Sequence, residues 1–243
     1  EEFMKTIEEF IEEEELVAIK GFMDIYSNDD GSTYFLKLDE DDLNKQFLYF
    51  SYIMNAPQAS AQTGGRPSNG KVLEFRNFKK EKIGLYQINT SYINKNKNNN
   101  ISKSSLTNIT EAFVEVFKPS AKTDNSVLIN VNSILLSEKM DSISYVPSEY
   151  REYISVNYGN QDESKTFVRN VFNNKTNTAF EVTFAYENRM PNINAFSVES
   201  VTDPRYLSVT ARHIFIEMPD DRFEPRVNDH RVGYFVNKST DLT

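Results

Sequence analysis

The chain has 243 residues, of which 39% are hydrophobic and 26% are charged, a composition typical of a globular protein with a sizeable core. No apolar run approaches the roughly 18 residues of a membrane helix, and the 27 basic and 36 acidic residues give a net charge of −9, which opposes binding to nucleic acid and anionic membranes. The absence of cysteine excludes a disulfide framework, a cysteine-ligated zinc and a thiol nucleophile, and two histidines leave little for metal or triad chemistry. Composition therefore argues against a self-sufficient enzyme.

The first twenty residues predict an acidic amphipathic helix. They contain eight glutamates, and the apolar residues Phe3, Ile7, Phe10 and Ile11 recur at helical spacing. An acidic interaction arm is the alternative interpretation of this segment. The chain opens on Glu1 without an initiator Met or an apolar leader, so we expect that a targeting segment was removed or that the chain is part of a longer polypeptide.

From Gly21 onward the hydrophobic period changes to two, which predicts strands. Two hairpins are indicated, one around the turn at residues 28–31 and one around residues 173–177. The remaining polar stretches, residues 55–70 and 94–105, predict exposed loops. The predicted strands cover residues 22–26, 33–38, 47–53, 71–78, 83–89, 112–118, 126–131, 166–172, 179–186, 206–218 and 232–236, with a short helical turn at 132–139.

The pattern predicts an α+β fold, predominantly antiparallel β, as a curved sheet or a sandwich with an N-terminal helix and one or two short helices. In domain terms, the helix over residues 1–20 precedes a single β-rich domain over residues 21–243, which carries the polar loop near residues 94–105.

The sequence offers few residues for chemistry. His213 falls in a predicted strand and is interpreted as a packing residue, and His230 lies in a charged stretch beside Asp229. Seventeen positions separate the two histidines, which is not the spacing that places two imidazoles on one metal, so no metal site or metal ligand is predicted. Adjacent acids are abundant but nothing selects a catalytic pair, and no Gly-x-Ser-x-Gly motif occurs, so no catalytic residue is predicted.

The most unusual stretch is residues 222–235, in which three arginines, acids, a proline and a glycine precede an apolar strand. Bidentate pairing of arginine with carboxylate would hold such a loop in one shape. We therefore expect this loop to be a structural element or a contact surface for a neighbouring domain, and we call it the predicted seat. Its candidate residues are Pro225, Arg226, Asp229, Arg231, Gly233 and Tyr234.

The run from Met218-Pro219-Asp220-Asp221 through Pro225-Arg226 to the segment 229–235, Asp-His-Arg-Val-Gly-Tyr-Phe, resembles the end of the non-catalytic N-terminal domain of large bacterial zinc-dependent, metzincin-like metalloproteases. Segments at residues 21–36, 47–75 and 162–186 are similar to the opening and middle of the same domain. The likeness spans roughly residues 21 to 243.

The resemblance implies a secreted, periplasmic or cell-envelope protein whose catalytic domain follows this one. It implies that zinc is bound by a His-Glu-x-x-His helix of that later domain and that this chain holds no cofactor. The expected partner is the metallopeptidase domain of the same polypeptide, with a protein or peptide substrate, and the expected roles are to brace that domain, to shape the substrate cleft or to maintain latency. The alternatives are a free-standing extracellular binding or adhesin module and, supported only by the abundant acids, a glycan-cleaving enzyme.

Overall fold

The computed structural model describes residues 4–62, 64–79, 81–93, 107–143, 153–219, 231 and 240–241. These residues form mostly antiparallel strands with two short α-helices, α1 (Ile7–Glu13) and α2 (Asn132–Leu135). The strands are β1 (Val17–Ile19), β2 (Asp24–Ser27), β3 (Tyr34–Asp39), β4 (Gln46–Asn55), β5 (Lys71–Phe78), β6 (Lys82–Gln87), β7 (Tyr92–Ile93), β8 (Ala112–Phe117), β9 (Pro119–Lys122), β10 (Ser126–Asn130), β11 (Asn160–Gln161), β12 (Phe167–Asn173), β13 (Asn177–Glu187), β14 (Tyr206–Glu217) and β15 (Thr240–Asp241). The predicted fold class is confirmed.

The strands form two main sheets that curve around one core. The large sheet has the order β11-β13-β14-β4-β5-β6-β8, with β12 also paired to β13, and the small sheet has the order β1-β2-β3-β10-β9. Only a single residue separates β8 in the large sheet from β9 in the small sheet, and a 3-10 turn at Glu40–Asp42 carries β3 into β4. These two connections join the small sheet to the large sheet, and the strands form a curved half-barrel. A separate parallel pair joins β7 and β15.

Both predicted hairpins are confirmed. β2 pairs with β3 across a turn in which Gly31 has φ +66°, a conformation that glycine adopts freely. β12 pairs with β13 around the predicted 173–177 turn.

The small sheet has apolar side chains on both faces, because successive residues of its strands point to opposite faces and apolar residues occupy both sets of positions. Leu36 and Ile129 belong to the main core between the sheets, whereas the adjacent Phe35 and Leu128 belong to a second cluster on the opposite face. Helix α1 covers that second face with the buried side chain of Ile7 and the half-buried side chains of Phe10 and Ile11. The layers are therefore helix, small sheet, core and large sheet.

Helix α1 is shorter than the predicted helix over residues 1–20. A capping box between Thr6 and Glu9 starts it, and Glu15 takes a left-handed φ of 50° just after it ends. The next residues form β1, which pairs with β2, because the β-branched Val17 and Ile19 suit a strand and an edge partner is available.

Candidate functional site

The structure describes only one of the six predicted seat residues. Arg231 is an exposed residue in a turn. The other five lie outside the described residues, so the interpretation as a seat stays a prediction: Pro225, Arg226, Asp229, Gly233 and Tyr234. His230 and the polar tract at residues 94–105 also lie outside the described residues.

His213 lies in β14 and is completely buried in the main core, as expected for a packing residue. Its Nδ1 atom is 2.8 Å from the hydroxyl of Tyr49, which is itself fully buried. Ser51 lies opposite His213 on β4, and the ring of Phe184 packs 6.0 Å from the imidazole. No solvent path reaches the imidazole, so a substrate could not contact it.

Burial also determines the charge of His213. Removal from water lowers its pKa from the ordinary 6.5 to about 4, and the nearby backbone of Leu135 offsets only part of this fall. The imidazole is therefore neutral near pH 7. Burial likewise raises the pKa of Tyr49, so the pair is uncharged and serves packing rather than proton transfer.

The described residues contain no group of three or more histidine, aspartate and glutamate side chains placed to hold a metal ion. The sequence has no cysteine to add a ligand. Neither His213 nor its surroundings have the donor set of a zinc site, which needs three or four converging ligands.

Two buried carboxylates on the large sheet are held by arginines. Glu74 accepts a hydrogen bond of 2.6 Å from Arg76. Glu181 pairs with Arg212 on the neighbouring strand, and Asn170 donates a second hydrogen bond of 2.6 Å to it. Burial alone would raise the pKa of Glu181, but the hydrogen bonds from Asn170 and Arg212 outweigh it and lower the pKa. An ionised carboxylate that is paired with an arginine is unsuited to act as a general acid. We therefore interpret the Glu181–Arg212 ion pair as structural.

The described residues form a groove of about 790 Å³ at the end where β3 passes into β4. Side chains from both sheets form it. Its floor is apolar and consists of Phe22, Met23, Leu36, Leu38, Phe47 and Phe75. We call this feature the inter-sheet groove.

Charged residues of both signs surround the floor. Lys37 pairs with Asp39 at 2.7 Å, and Lys45 lies 4.0 Å from Asp42. The hydrogen bond from Lys37 lowers the pKa of Asp39, and Ser126 donates a second bond that acts in the same direction. At neutral pH the rim therefore carries fixed, opposed charges around an apolar floor.

The described residues that line the groove include no serine, threonine, tyrosine or histidine. This described lining therefore does not supply the hydroxyl nucleophile and adjacent base that hydrolytic catalysis of the serine or threonine type requires. An apolar centre surrounded by a polar rim is the arrangement found in protein–protein contact surfaces, although this rim has more lysine and acidic residues than such surfaces usually have.

One side of the groove is fixed by Asn173, at the end of β12. Its side-chain nitrogen donates to the carbonyls of Ile19 and Met23, each at 2.6 Å, and its oxygen accepts a hydrogen bond from Thr178. Gly21 passes so close that an added Cβ would lie 2.3 Å from the Asn173 side chain. These contacts tie the β1–β2 connection to the β12–β13 hairpin, and only glycine fits at position 21.

The sequence patterns did not indicate the groove or the Asn173 contacts. Asn173 was placed in a predicted turn, where asparagine is common, and its partners lie about 150 positions away in the chain. The one local indication of these contacts was Gly21, which lies where the helical spacing of apolar residues ends. A glycine at such a position permits the close approach of another segment, here Asn173, to the backbone.

The family model described as a domain of unknown function, DUF5117, matches residues 65–243. Because this match covers more than half of the chain, the protein belongs to that family. No curated protein and no solved structure matches it. None of the helices in the described part of the chain has the length and apolar character that a membrane span requires.

Proposed function

We propose that this chain is a non-catalytic N-terminal domain of a secreted, periplasmic or cell-envelope bacterial zinc metallopeptidase. Its role is to brace the catalytic domain of the same polypeptide, with shaping of the substrate cleft or maintenance of latency as consequences of that contact. Zinc belongs to the catalytic domain.

The inter-sheet groove carries this proposal. Glu217 and Met218, at the end of β14, form part of its lining. Met218 is also the first residue of the run that resembles the end of the metalloprotease N-terminal domain. A surface suited to protein contact therefore lies next to the start of the segment that the resemblance places before the catalytic domain.

The state of the chemically active residues supports a non-catalytic role. His213 is buried and neutral, Glu181 is held by Arg212, and the described residues of the groove lining include no serine, threonine or tyrosine hydroxyl. These side chains contribute to stability and shape.

The gene sequence beyond the codon for Thr243 gives the first test. A downstream His-Glu-x-x-His helix supports the proposal, whereas a stop codon directly after this chain favours the free-standing extracellular binding module.

The groove is tested by Phe22→Ser, which removes a half-buried aromatic ring from the floor. We expect it to lower the melting temperature of the longer polypeptide more than that of the 243-residue chain, because the longer polypeptide also loses a domain contact. Phe167→Ser, at an exposed aromatic on β12 outside the groove, is the matched control. Equal losses in the two proteins for Phe22→Ser would contradict the bracing role.

The predicted seat is tested by Asp229→Ala in the longer polypeptide. We expect a lower melting temperature with an unchanged peptide-cleavage preference, because a seat stabilises the domain contact without touching the scissile peptide. An unchanged melting temperature together with an altered preference would instead indicate substrate binding by this loop.

A further inference from the structure

The sequence contains a single Asn-Gly pair, Asn69-Gly70, in the connection between β4 and β5. Both residues are exposed and lie outside the strands. An asparagine followed by a glycine is chemically labile, because the glycine nitrogen can attack the side-chain amide and no Cβ hinders its approach. Whether a folded protein permits this attack depends on how firmly it holds the two residues.

Neither reacting group of this pair is held by a hydrogen bond. In the part of the chain that the structure describes, the Asn69 side chain and the Gly70 backbone amide have no hydrogen-bond partner. Apart from the neighbouring residues in the chain, no atom lies within 4 Å of the position that a Cβ on Gly70 would take. The side-chain amide can therefore turn toward the Gly70 nitrogen without breaking a hydrogen bond.

The chain is anchored on either side of the pair. The Ser68 amide donates to the carbonyl of Ser51 at 2.7 Å, and the Ser68 hydroxyl accepts a hydrogen bond of 2.8 Å from the Ser51 amide. Lys71, directly after the pair, is the first residue of β5. Asn69 and Gly70 are therefore a short free link between two fixed points, and they can react without unfolding of either strand.

The corresponding Asp-Gly pair of the chain, Asp30-Gly31, is held in place. The Gly31 amide donates to the carbonyl of Asn28 at 3.0 Å, and the Asp30 side chain accepts a hydrogen bond of 2.9 Å from the Ser32 amide. Both groups that would have to react are engaged in the turn. The freedom of Asn69-Gly70 is thus a property of its own connection and not of every glycine-containing turn in the chain.

We propose that Asn69 is a site of spontaneous deamidation through a cyclic imide. The Gly70 nitrogen forms a bond to Cγ of Asn69, the bond from Cγ to Nδ2 breaks, and Nδ2 leaves as ammonia with the proton that Gly70 gives up. Water, the one co-reactant, then opens the imide at either carbonyl and yields aspartate or isoaspartate. The net charge of the chain, −9, becomes one unit more negative. This inference is independent of the proposed function.

The modified chain should keep its fold. The new carboxylate, and the extra backbone methylene of isoaspartate, fall within the free link and displace no core side chain. Because surface changes of this kind have small effects, we expect the melting temperature of the converted chain to stay within about 2 °C of the original. A larger fall would show that the link carries stabilising contacts, which contradicts the inference.

The test incubates the 243-residue chain in water enriched in heavy oxygen and follows its peptides by mass spectrometry. We expect the Asn69 peptide to lose ammonia, to gain one heavy oxygen atom and to separate into isoaspartate and aspartate forms. Conversion should be faster at pH 8 than at pH 6, because the attack requires the deprotonated Gly70 nitrogen.

Asn132, which precedes a serine, is the internal control. Its Oδ1 accepts a hydrogen bond of 2.9 Å from the Tyr34 amide, and its Nδ2 donates one of 2.8 Å to the Ser32 carbonyl. A side chain held in this way reacts only when its surroundings open, so Asn132 should stay unconverted over the same period.

Gly70→Ala is the matched variant. A methyl group at position 70 meets open space and Gly70 has no left-handed φ, so the variant should fold. Its Asn69 should convert at least about tenfold more slowly, because the Cβ hinders the attacking nitrogen. Conversion of Asn69 no faster than that of Asn132 would overturn the proposal. Equal rates in the wild type and Gly70→Ala, or aspartate without isoaspartate, would also overturn it, because both indicate direct hydrolysis of the side-chain amide.

Discussion

His213 makes the stability of this domain depend on pH in a predictable way. The folded pKa of about 4 lies below the ordinary 6.5 of an unfolded chain, so the unfolded state binds the proton more readily. The stability contributed by the neutral, buried imidazole is therefore fully present above about pH 6.5 and is lost as the pH falls toward 4. Multiplying the interval between the two pKa values by about 1.36 kcal/mol per pH unit gives a loss of about 3 kcal/mol.

The assay compares the wild-type chain with His213→Gln, which keeps a polar side chain of similar reach but does not titrate. Urea unfolding at pH 7.5, 6.5, 5.5 and 4.5 gives the free energy of unfolding for each protein. Carboxylates and the second histidine, His230, titrate in both proteins, so their contributions cancel in the difference.

We expect the difference between the two free energies to change by less than about 0.5 kcal/mol from pH 7.5 to 6.5. Below pH 6.5 the free energy of unfolding of the wild type should fall relative to that of His213→Gln. The fall should reach about 3 kcal/mol by pH 4, and most of it should be present by pH 4.5. Parallel curves over the whole range would refute the reasoning, because they would mean that His213 titrates alike in the folded and unfolded states.

Three further predictions concern the same framework. Asn173→Ala removes three hydrogen bonds at the groove and should lower the free energy of unfolding by about 2–4 kcal/mol in urea titrations, whereas the neighbouring Asn174→Ala should change it by less than about 1 kcal/mol. Gly21→Ala should cost about 1–3 kcal/mol because its methyl group overlaps Asn173, and Gly70→Ala, with open space around it, is the control whose equal loss would count against this steric account. The 243-residue chain should retain no stoichiometric zinc after dialysis, as measured by atomic absorption, and retained zinc that is lost in His213→Ala would contradict the packing role of that histidine.

Local patterns predicted most of the strands because each of them has one face in the main core. β5, for example, has the predicted bounds, and its apolar Leu73 and Phe75 lie on the core side, although the intervening Glu74 is also buried. Strands were not predicted where the alternation of apolar and polar residues was short or interrupted. β1 has three residues and follows an acidic helix, and β9 begins with Pro119, a residue that argues against a strand.

The contacts that define the candidate sites could not be predicted because they join distant parts of the chain. Tyr49 and His213 are 164 positions apart, and only the pairing of β4 with β14 brings them together. The loop at residues 188–198, between β13 and β14, shows a different difficulty. Its Met190, Ile193 and Phe196 have the spacing of a helical face, but a sequence does not reveal whether such a face is buried or exposed.

The most direct test of the account is chelator-sensitive peptide cleavage, measured side by side for the 243-residue chain and for the longer polypeptide encoded by its gene. We expect the longer polypeptide to cleave peptides, to lose this activity when zinc is removed and to regain it when zinc is restored, while the 243-residue chain shows no cleavage in any condition. Cleavage by the 243-residue chain alone, or a longer polypeptide without zinc-dependent cleavage, would contradict a non-catalytic domain that braces a zinc metallopeptidase.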